Sequence, residues 1–277
     1  MAAPPPPPPK KMGKIIAIFI AYNAARTLTE FYQNFPKEIV DDIILVDDAS
    51  ADNTFELAQS LGIKSYKNQV NLGYGGNIKR ALDLALAHGA EVIVDLHPDG
   101  EYNPVVLPAA LEQIKKGAHL VLGNRYSGNN TPFKTGMYIW KYIPLMGLNI
   151  LPRLVIKSKI KDFHQGFRVY TKTLLENINY HSNSDGFLFS FEVIAQADYQ
   201  GLKIAEVPVE TKYTGKKRGS TFKNSVLYTL GVFKVVAWGL AAKIGIHRAL
   251  FLTVKQRDAQ IDALGEKLEK TGKSEER

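Results

Sequence analysis

The chain of 277 residues is long enough for one large α/β domain, or a domain with an appendage, and carries a formal net charge of +8 with a pI near 9.3. It contains no cysteine, which excludes disulfides, thiolate metal sites and cysteine nucleophiles and fits a reducing compartment. The charge points to an anionic partner, which could be nucleic acid, nucleotide phosphates or an acidic membrane surface.

Residues 1–12 hold six consecutive prolines, Pro4 to Pro9, and are expected to form an extended polyproline II arm outside any packed core. Ile15 to Ala21 is too short for a membrane span and leads into Tyr22-Asn23 without a small-residue cleavage site, so it reads as a first buried strand and not as a signal peptide. The pattern then alternates. A helix is expected near Thr27–Phe35, a strand at Ile43–Val46, a helix near Thr54–Leu61, a strand near Lys64–Lys67, a helix at Asn77–His88 and a strand at Val92–Leu96. Strands separated by helical stretches indicate βαβ units and a mostly parallel sheet.

Polar residues follow the strands. Tyr22-Asn23, Asp47-Asp48 and His97-Pro98-Asp99 each come after an apolar run, so a parallel sheet gathers them at one crevice. His97 and Asp99 lie two positions apart, and an imidazole and a carboxylate there could hold a divalent cation. The alternative is a plain turn in which Asp99 bonds its own backbone ahead of Gly100. Asp47-Asp48-Ala49-Ser50 could cap a helix or bond ribose hydroxyls or a base edge. The glycine-rich run Asn71 to Asn77 could approach a ligand closely through its backbone. It is a poor dinucleotide fingerprint, because Ile78 stands where G-x-G-x-x-G needs a glycine.

Further on, a helix is expected at Val105–Lys116 and a strand at Ala118–Leu122, closed by Gly123-Asn124-Arg125. Arg125 there could reach a phosphate or join an ion pair. The stretch Thr131 to Ile160, broken by Pro132, Pro144 and Pro152, is expected to form irregular helices over the site or on a membrane surface. A turn then leads through Arg168 into a strand, and Gly186 opens a helix running to about Tyr199. On that helix Glu192 is expected to face a polar cleft or a cation, because an unpaired carboxylate among apolar neighbours is costly.

Taken in order, Tyr22-Asn23, Asp47-Asp48-Ala49-Ser50, Asn71 with its glycines, His97-Pro98-Asp99-Gly100, Gly123-Asn124-Arg125, Gly166-Phe167-Arg168, Gly186-Phe187-x-Phe189-x-x-Glu192 and Glu206-Val207-Pro208-Val209 make the chain similar to family 2 inverting glycosyltransferases. The resemblance is to the branch of dolichyl-phosphate mannose synthase and other polyprenyl-phosphate glycosyltransferases, and spans roughly residues 14–225. It implies a GT-A fold, an α/β, Rossmann-like and mostly parallel sheet flanked by helices, here with a C-terminal helical extension. It also implies transfer of a sugar, with inversion, from a UDP- or GDP-linked donor. The implied acceptor is a polyprenyl phosphate, with a soluble hydroxyl acceptor or a non-catalytic sugar-nucleotide-binding role as alternatives.

By the same resemblance, Tyr22, Asn23, Asp48, Asn71, Gly75, His97 and Arg125 bind the donor. Asp99 and His97 hold a divalent metal, Mn2+ or Mg2+, and Asp99, Glu192 and Arg168 are catalytic. Arg168, Lys217, Arg218 and Ser220 meet the acceptor phosphate. His97 stands where the family's D-x-D motif has its first acid, which shifts the expected metal preference toward manganese.

Residues 13–225 are accordingly expected to be the glycosyltransferase domain. Residues 226–277 are expected to supply an interfacial helix, Val226 to Ala242, and a charged amphipathic tail that could pack on the domain or on a second copy of the chain. The anionic partner is then a membrane surface and not nucleic acid, with the protein cytoplasmic and peripheral on that membrane's cytoplasmic face.

Overall fold

The computed structural model describes residues 12–99, 104–127, 149–154, 156, 159–209, 222–246, 248–252 and 256. Seven strands form one sheet: β1 (Ile15–Ala21), β2 (Asp42–Asp47), β3 (Lys64–Lys67), β4 (Val92–Leu96), β5 (Leu120–Asn124), β6 (Arg168–Thr171) and β7 (Ile204–Pro208). Their order is β3-β2-β1-β4-β6-β5-β7, with β6 antiparallel to both its neighbours and the remaining pairs parallel. The described α-helices are α1 (Ala25–Asn34), α2 (Thr54–Ser60), α3 (Gly73–Ala87), α4 (Leu107–Lys115), α5 (Lys172–Asn177), α6 (Phe189–Tyr199) and α7 (Phe222–Lys243).

The inner strands β1, β4 and β5 are apolar on both faces because both faces are covered, whereas the edge strand β3, Lys64-Ser65-Tyr66-Lys67, stays partly in solvent. Ile16, Ile18, Ile44, Val46 and Ile93 pack with α3, α6 and α7 on one side, while Ala17, Phe19, Leu45 and Val94 pack with α1, α2 and α4 on the other. This period-two division builds a three-layer sandwich with the sheet between two layers of helices. The chain leaves β1 toward β2 and β3 on one side and returns to β4 on the other. The break between β1 and β4 is therefore the topological switch point, where such sheets open a crevice beyond their carboxyl ends.

Helix α7 packs into the same core through Val232, Val235, Val236 and Ala242. Its opposite face shows Val226, Leu230, Phe233, Ala237, Leu240 and, just past its end, Ile244 to solvent. Steps of four, three, four, three and four put these six side chains on one stripe. By length and composition the 20 residues Asn224–Lys243 are apolar enough to cross a membrane, although no uninterrupted apolar run in the sequence reaches that length. Lys234 interrupts it and sits over the Trp238 ring, 4.5 Å from its centroid.

Candidate active site

At the switch point lies a cleft of about 860 Å3. Tyr22, Asn23, Asp48, Asn71, Gly73 and Asn77 line one end, and His97, Pro98 and Asp99 lie in the wall beside them. Ser184, Phe187, Leu188, Asn224, Leu227 and Tyr228 close the other end. The register Ala21↔Asp47 and Phe19↔Leu96 brings the three strand ends level. Thr27 Oγ1 on α1 donates to the Pro98 carbonyl at 2.5 Å and holds the His97–Asp99 turn against that helix.

The end lined by Tyr22 and Asp48 is a network of locked turns. Asn23 and Ala49 adopt φ of 51° and 56°, a left-handed conformation costing about 1–3 kcal/mol in a residue other than glycine. Asn23 N donates to Ser50 Oγ at 2.8 Å, Asn23 Oδ1 accepts from Ala51 N at 2.9 Å, and Ser50 Oγ donates in turn to Asp47. Asp48 lines the cleft, and its carboxylate accepts from Asn68 Nδ2 at 2.7 Å, Leu72 N at 2.8 Å and Gly73 N at 3.0 Å. Neither Asp48 nor Ser50 caps α2, whose N-cap is Asn53.

Gly75 has a different task from the expected one. A Cβ at Gly75 would lie 2.2 Å from the Ser184 carbonyl oxygen and 2.9 Å from that of Gly186. Gly75 N and Gly76 N both donate to the Asp185 carbonyl, at 2.7 and 3.2 Å. The glycines thus admit the 184–186 loop, whose carbonyl takes the free N–H groups of the first turn of α3 in place of a ligand. Within the glycine-rich run it is Gly73, with φ +79°, that faces the cleft.

Beneath the cleft floor lies a buried polar cluster. His97 Nε2 is 3.4 Å from Asp95 Oδ1, and Asp95 Oδ2 accepts from the Tyr170 hydroxyl at 3.2 Å. Burial disfavours the charged imidazole of His97, but the facing Asp95 outweighs it and the pKa is raised. Tyr74 packs edge-on to the His97 ring at 5.4 Å and lies against Phe187 at 5.0 Å. Arg168, expected at the diphosphate, is 1% exposed and donates through Nη1 to the Gly166 carbonyl. Its strand pairs with β4 at Asp95, so the guanidinium belongs to the layer under the site and not to the cleft surface.

Two more expectations are corrected. Arg125 makes a buried two-point contact with Asp162, Nε to Oδ2 at 2.7 Å and Nη2 to Oδ1 at 2.9 Å, and also donates to the His164 carbonyl. Glu206 on β7 accepts from Lys161 N and Asp162 N at 2.9 Å and from Asn124 Nδ2 at 3.0 Å. Together these groups fasten the 161–165 segment to β5 and β7, away from the cleft. Glu192 does not line the cleft either. Burial raises its pKa, and Oε2 accepts from Ser184 N at 2.6 Å, so it anchors the loop that rims the site. Lys217, Arg218 and Ser220 lie outside the described residues, as does the tail beyond Leu252 except Gln256, and most of 131–160.

Sequence reasoning missed the α7 residues Asn224, Leu227 and Tyr228, gave Tyr74 and Asn77 no role beyond membership of the glycine-rich run, and judged Asp95 too deep in its strand to replace the first acid of D-x-D. Asp95 carried one usable signal, a carboxylate inside a wholly apolar strand two positions before His97. Among the described residues, no three His, Asp or Glu side chains converge as a metal cage. A cation in this cleft would therefore draw on Asp99 and His97 together with oxygens of a bound diphosphate.

The mostly parallel seven-stranded sheet with a cleft at its switch point has the architecture of the GT-A fold. Residues 16–178 match Glycosyl transferase family 2, and the chain belongs to that family of enzymes. It is 30% identical over 206 residues to an uncharacterized protein of Methanocaldococcus jannaschii, covering 73% of this chain and 82% of that one. It is 27% identical over 217 residues to the polyprenol monophosphomannose synthase of Mycolicibacterium smegmatis, covering 75% and 80%. Glucosyl-3-phosphoglycerate synthase from Mycobacterium tuberculosis, solved with Mn2+, UDP and phosphoglyceric acid, shares the fold with a TM-score of 0.59 at 16% identity, over 86% of this chain and 80% of that one.

Proposed function

We propose that this enzyme transfers a sugar, with inversion, from a UDP- or GDP-linked donor to a polyprenyl phosphate at an anionic membrane surface on its cytoplasmic side. One observation carries the reading. The helix that lines the cleft with Asn224, Leu227 and Tyr228 also presents the exposed apolar stripe from Val226 to Ile244. A stripe of that kind suits the headgroup region of a bilayer, and the cleft beside it would then open where a lipid phosphate lies. The polyprenol-phosphate relative supports the same acceptor class.

In this reading Tyr22, Asn23, Asp48 and Asn71 bind the nucleoside. Asp99 and His97 hold a divalent cation, which when bound supplies positive charge to the departing diphosphate. The acceptor needs no strong base, because a phosphomonoester with a second pKa of about 6 is largely ionised at neutral pH. Lys217, Arg218 and Ser220 immediately precede α7 in sequence and supply cations and a hydroxyl for the acceptor phosphate. Each basic residue near an anionic surface also adds about 1 kcal/mol to membrane binding.

The test is a panel of UDP- and GDP-linked sugars measured for thermal stabilisation with and without Mn2+, followed by turnover with polyprenyl phosphate. Stabilisation by one donor, lipid-dependent turnover and loss of turnover in Asp99→Ala are expected. Stabilisation without transfer to any acceptor would make the protein a binding relative and contradict the proposal.

A further inference from the structure

Asp95 on β4 and His97, the first residue past its end, are two positions apart in an extended segment and project to the same side. Asp95 Oδ1 and His97 Nε2 face each other 3.4 Å apart, both shut off from solvent, and among the described residues each has the other as its facing group and no formed hydrogen bond. The second oxygen of Asp95 is fixed from β6 by the Tyr170 hydroxyl at 3.2 Å. Asp95 is fully buried, whereas the His97 side chain keeps 15% of its surface and forms part of the cleft wall with Asp99.

A carboxylate facing one ring nitrogen keeps the proton on that nitrogen and leaves the lone pair on the other. Carboxylates behind metal-binding histidines use this arrangement to fix tautomer and ring orientation. We propose that Asp95 is a positioning residue for His97, holding its Nε2–H so that Nδ1 is the nitrogen that ligates a divalent cation alongside Asp99. A neutral imidazole with a carboxylate favours manganese and later divalent metals over magnesium. The inference rests on the cation role given to His97 and Asp99 under the proposed function. It adds that an acid buried in the strand, beyond the reach of solvent, controls that role.

Mn2+ binding, read by electron paramagnetic resonance on the full chain, tests this without turnover. Mn2+ is titrated alone and with UDP or GDP, and spin-echo modulation reports a directly bound imidazole nitrogen. Wild type is expected to show that coupling. Asp95→Asn offers an amide N–H to Nε2, reverses the tautomer, and should weaken Mn2+ by about 10–100-fold with loss of the nitrogen coupling. In a His97→Ala background the same Asp95→Asn change should leave Mn2+ affinity where His97→Ala alone set it.

Bound Mn2+ in wild type without nitrogen coupling would overturn the inference while leaving the transferase reading intact. So would an Asp95→Asn protein with unchanged affinity and coupling. Failure of wild type to bind Mn2+ alone or with either nucleotide would contradict both. Should Asp95→Asn not fold, the wild-type spectrum decides whether His97 is a ligand, and Asp95→Ser, which also removes the carboxylate, is expected to show the same loss.

Discussion

Gly75 and Ser184 meet so closely that a single added carbon on Gly75 would fall 2.2 Å from the Ser184 carbonyl oxygen. The contact joins the start of α3, which lines the cleft through Gly73, Tyr74 and Asn77, to the loop that lines it through Ser184 and Gly186. Lys79 strengthens the joint by donating to the Asn183 carbonyl at 2.5 Å and to Asp185 at 2.8 Å. Gly75→Ala is expected to lower stability by about 1–3 kcal/mol through overpacking against backbone. It should also weaken nucleotide binding, because Gly73 must shift with the helix. Urea unfolding and nucleotide titration check both, and a variant as stable as wild type would show that the loop yields freely.

Arg125→Ala is expected to destabilise the fold by about 3–5 kcal/mol, since it leaves the fully buried Asp162 carboxylate without its partner. Burial alone would raise the pKa of Asp162, but the Arg125 guanidinium and the N–H groups of Arg125 and His164 hold it below the ordinary carboxylate value. A carboxylate depressed in the folded state stabilises above its unfolded pKa of about 4, and that stability is lost as pH falls toward the lower folded value. Unfolding free energy followed from pH 7 to pH 3 should therefore decline below about pH 4 in wild type. The decline should be smaller in Arg125→Ala, where the depression is gone.

Glu192→Gln should keep transfer to a phosphate acceptor within about tenfold of wild type, because glutamine retains an oxygen for Ser184 N and no general base is required. A fall of about 10²–10⁴ in kcat with KM unchanged is the signature of a lost general base. That outcome would move the account to a hydroxyl acceptor.

Phe233→Asp changes a side chain that is 51% exposed on the α7 stripe. It should lower binding to anionic vesicles by about tenfold or more, since burying such a side chain is worth about 1.5–3 kcal/mol. Soluble nucleotide binding should be unaffected. Vesicle sedimentation at low and high salt measures the change, and equal sedimentation of variant and wild type would remove the stripe from the membrane contact.

Much of the fold is legible because apolar runs and their punctuation encode it. Ile15–Ala21, Lys64–Lys67 and Val92–Leu96 form strands at the expected bounds, and the polar residues after β1, β2 and β4 do share one cleft. Strand direction is less legible, since nothing in Arg168–Thr171 marks it as antiparallel between β4 and β5. Helix α3 starts at Gly73, before the expected Asn77, because the Asp185 carbonyl takes N–H groups that glycines alone would leave to water. The positions of Arg125 and Arg168 were hidden for a related reason. Their surroundings come from segments 37 residues or more away, or from a strand pairing that sequence spacing does not specify. Asp48 was correctly placed on the cleft, but its bonds to Leu72 and Gly73 depend on a turn whose shape the sequence only suggests.

The most direct measurement of the central claim is competition between acceptors. The enzyme, its stabilising nucleotide sugar with a labelled sugar and Mn2+ are mixed with equal amounts of polyprenyl phosphate in anionic vesicles and a soluble saccharide. The product is then partitioned between organic and aqueous phases and its anomeric linkage read by NMR. The account predicts label in the organic phase, joined to the lipid phosphate with the configuration opposite to that of the donor. Label confined to the aqueous phase as a glycoside of the saccharide, or a lipid product with retained configuration, would contradict it.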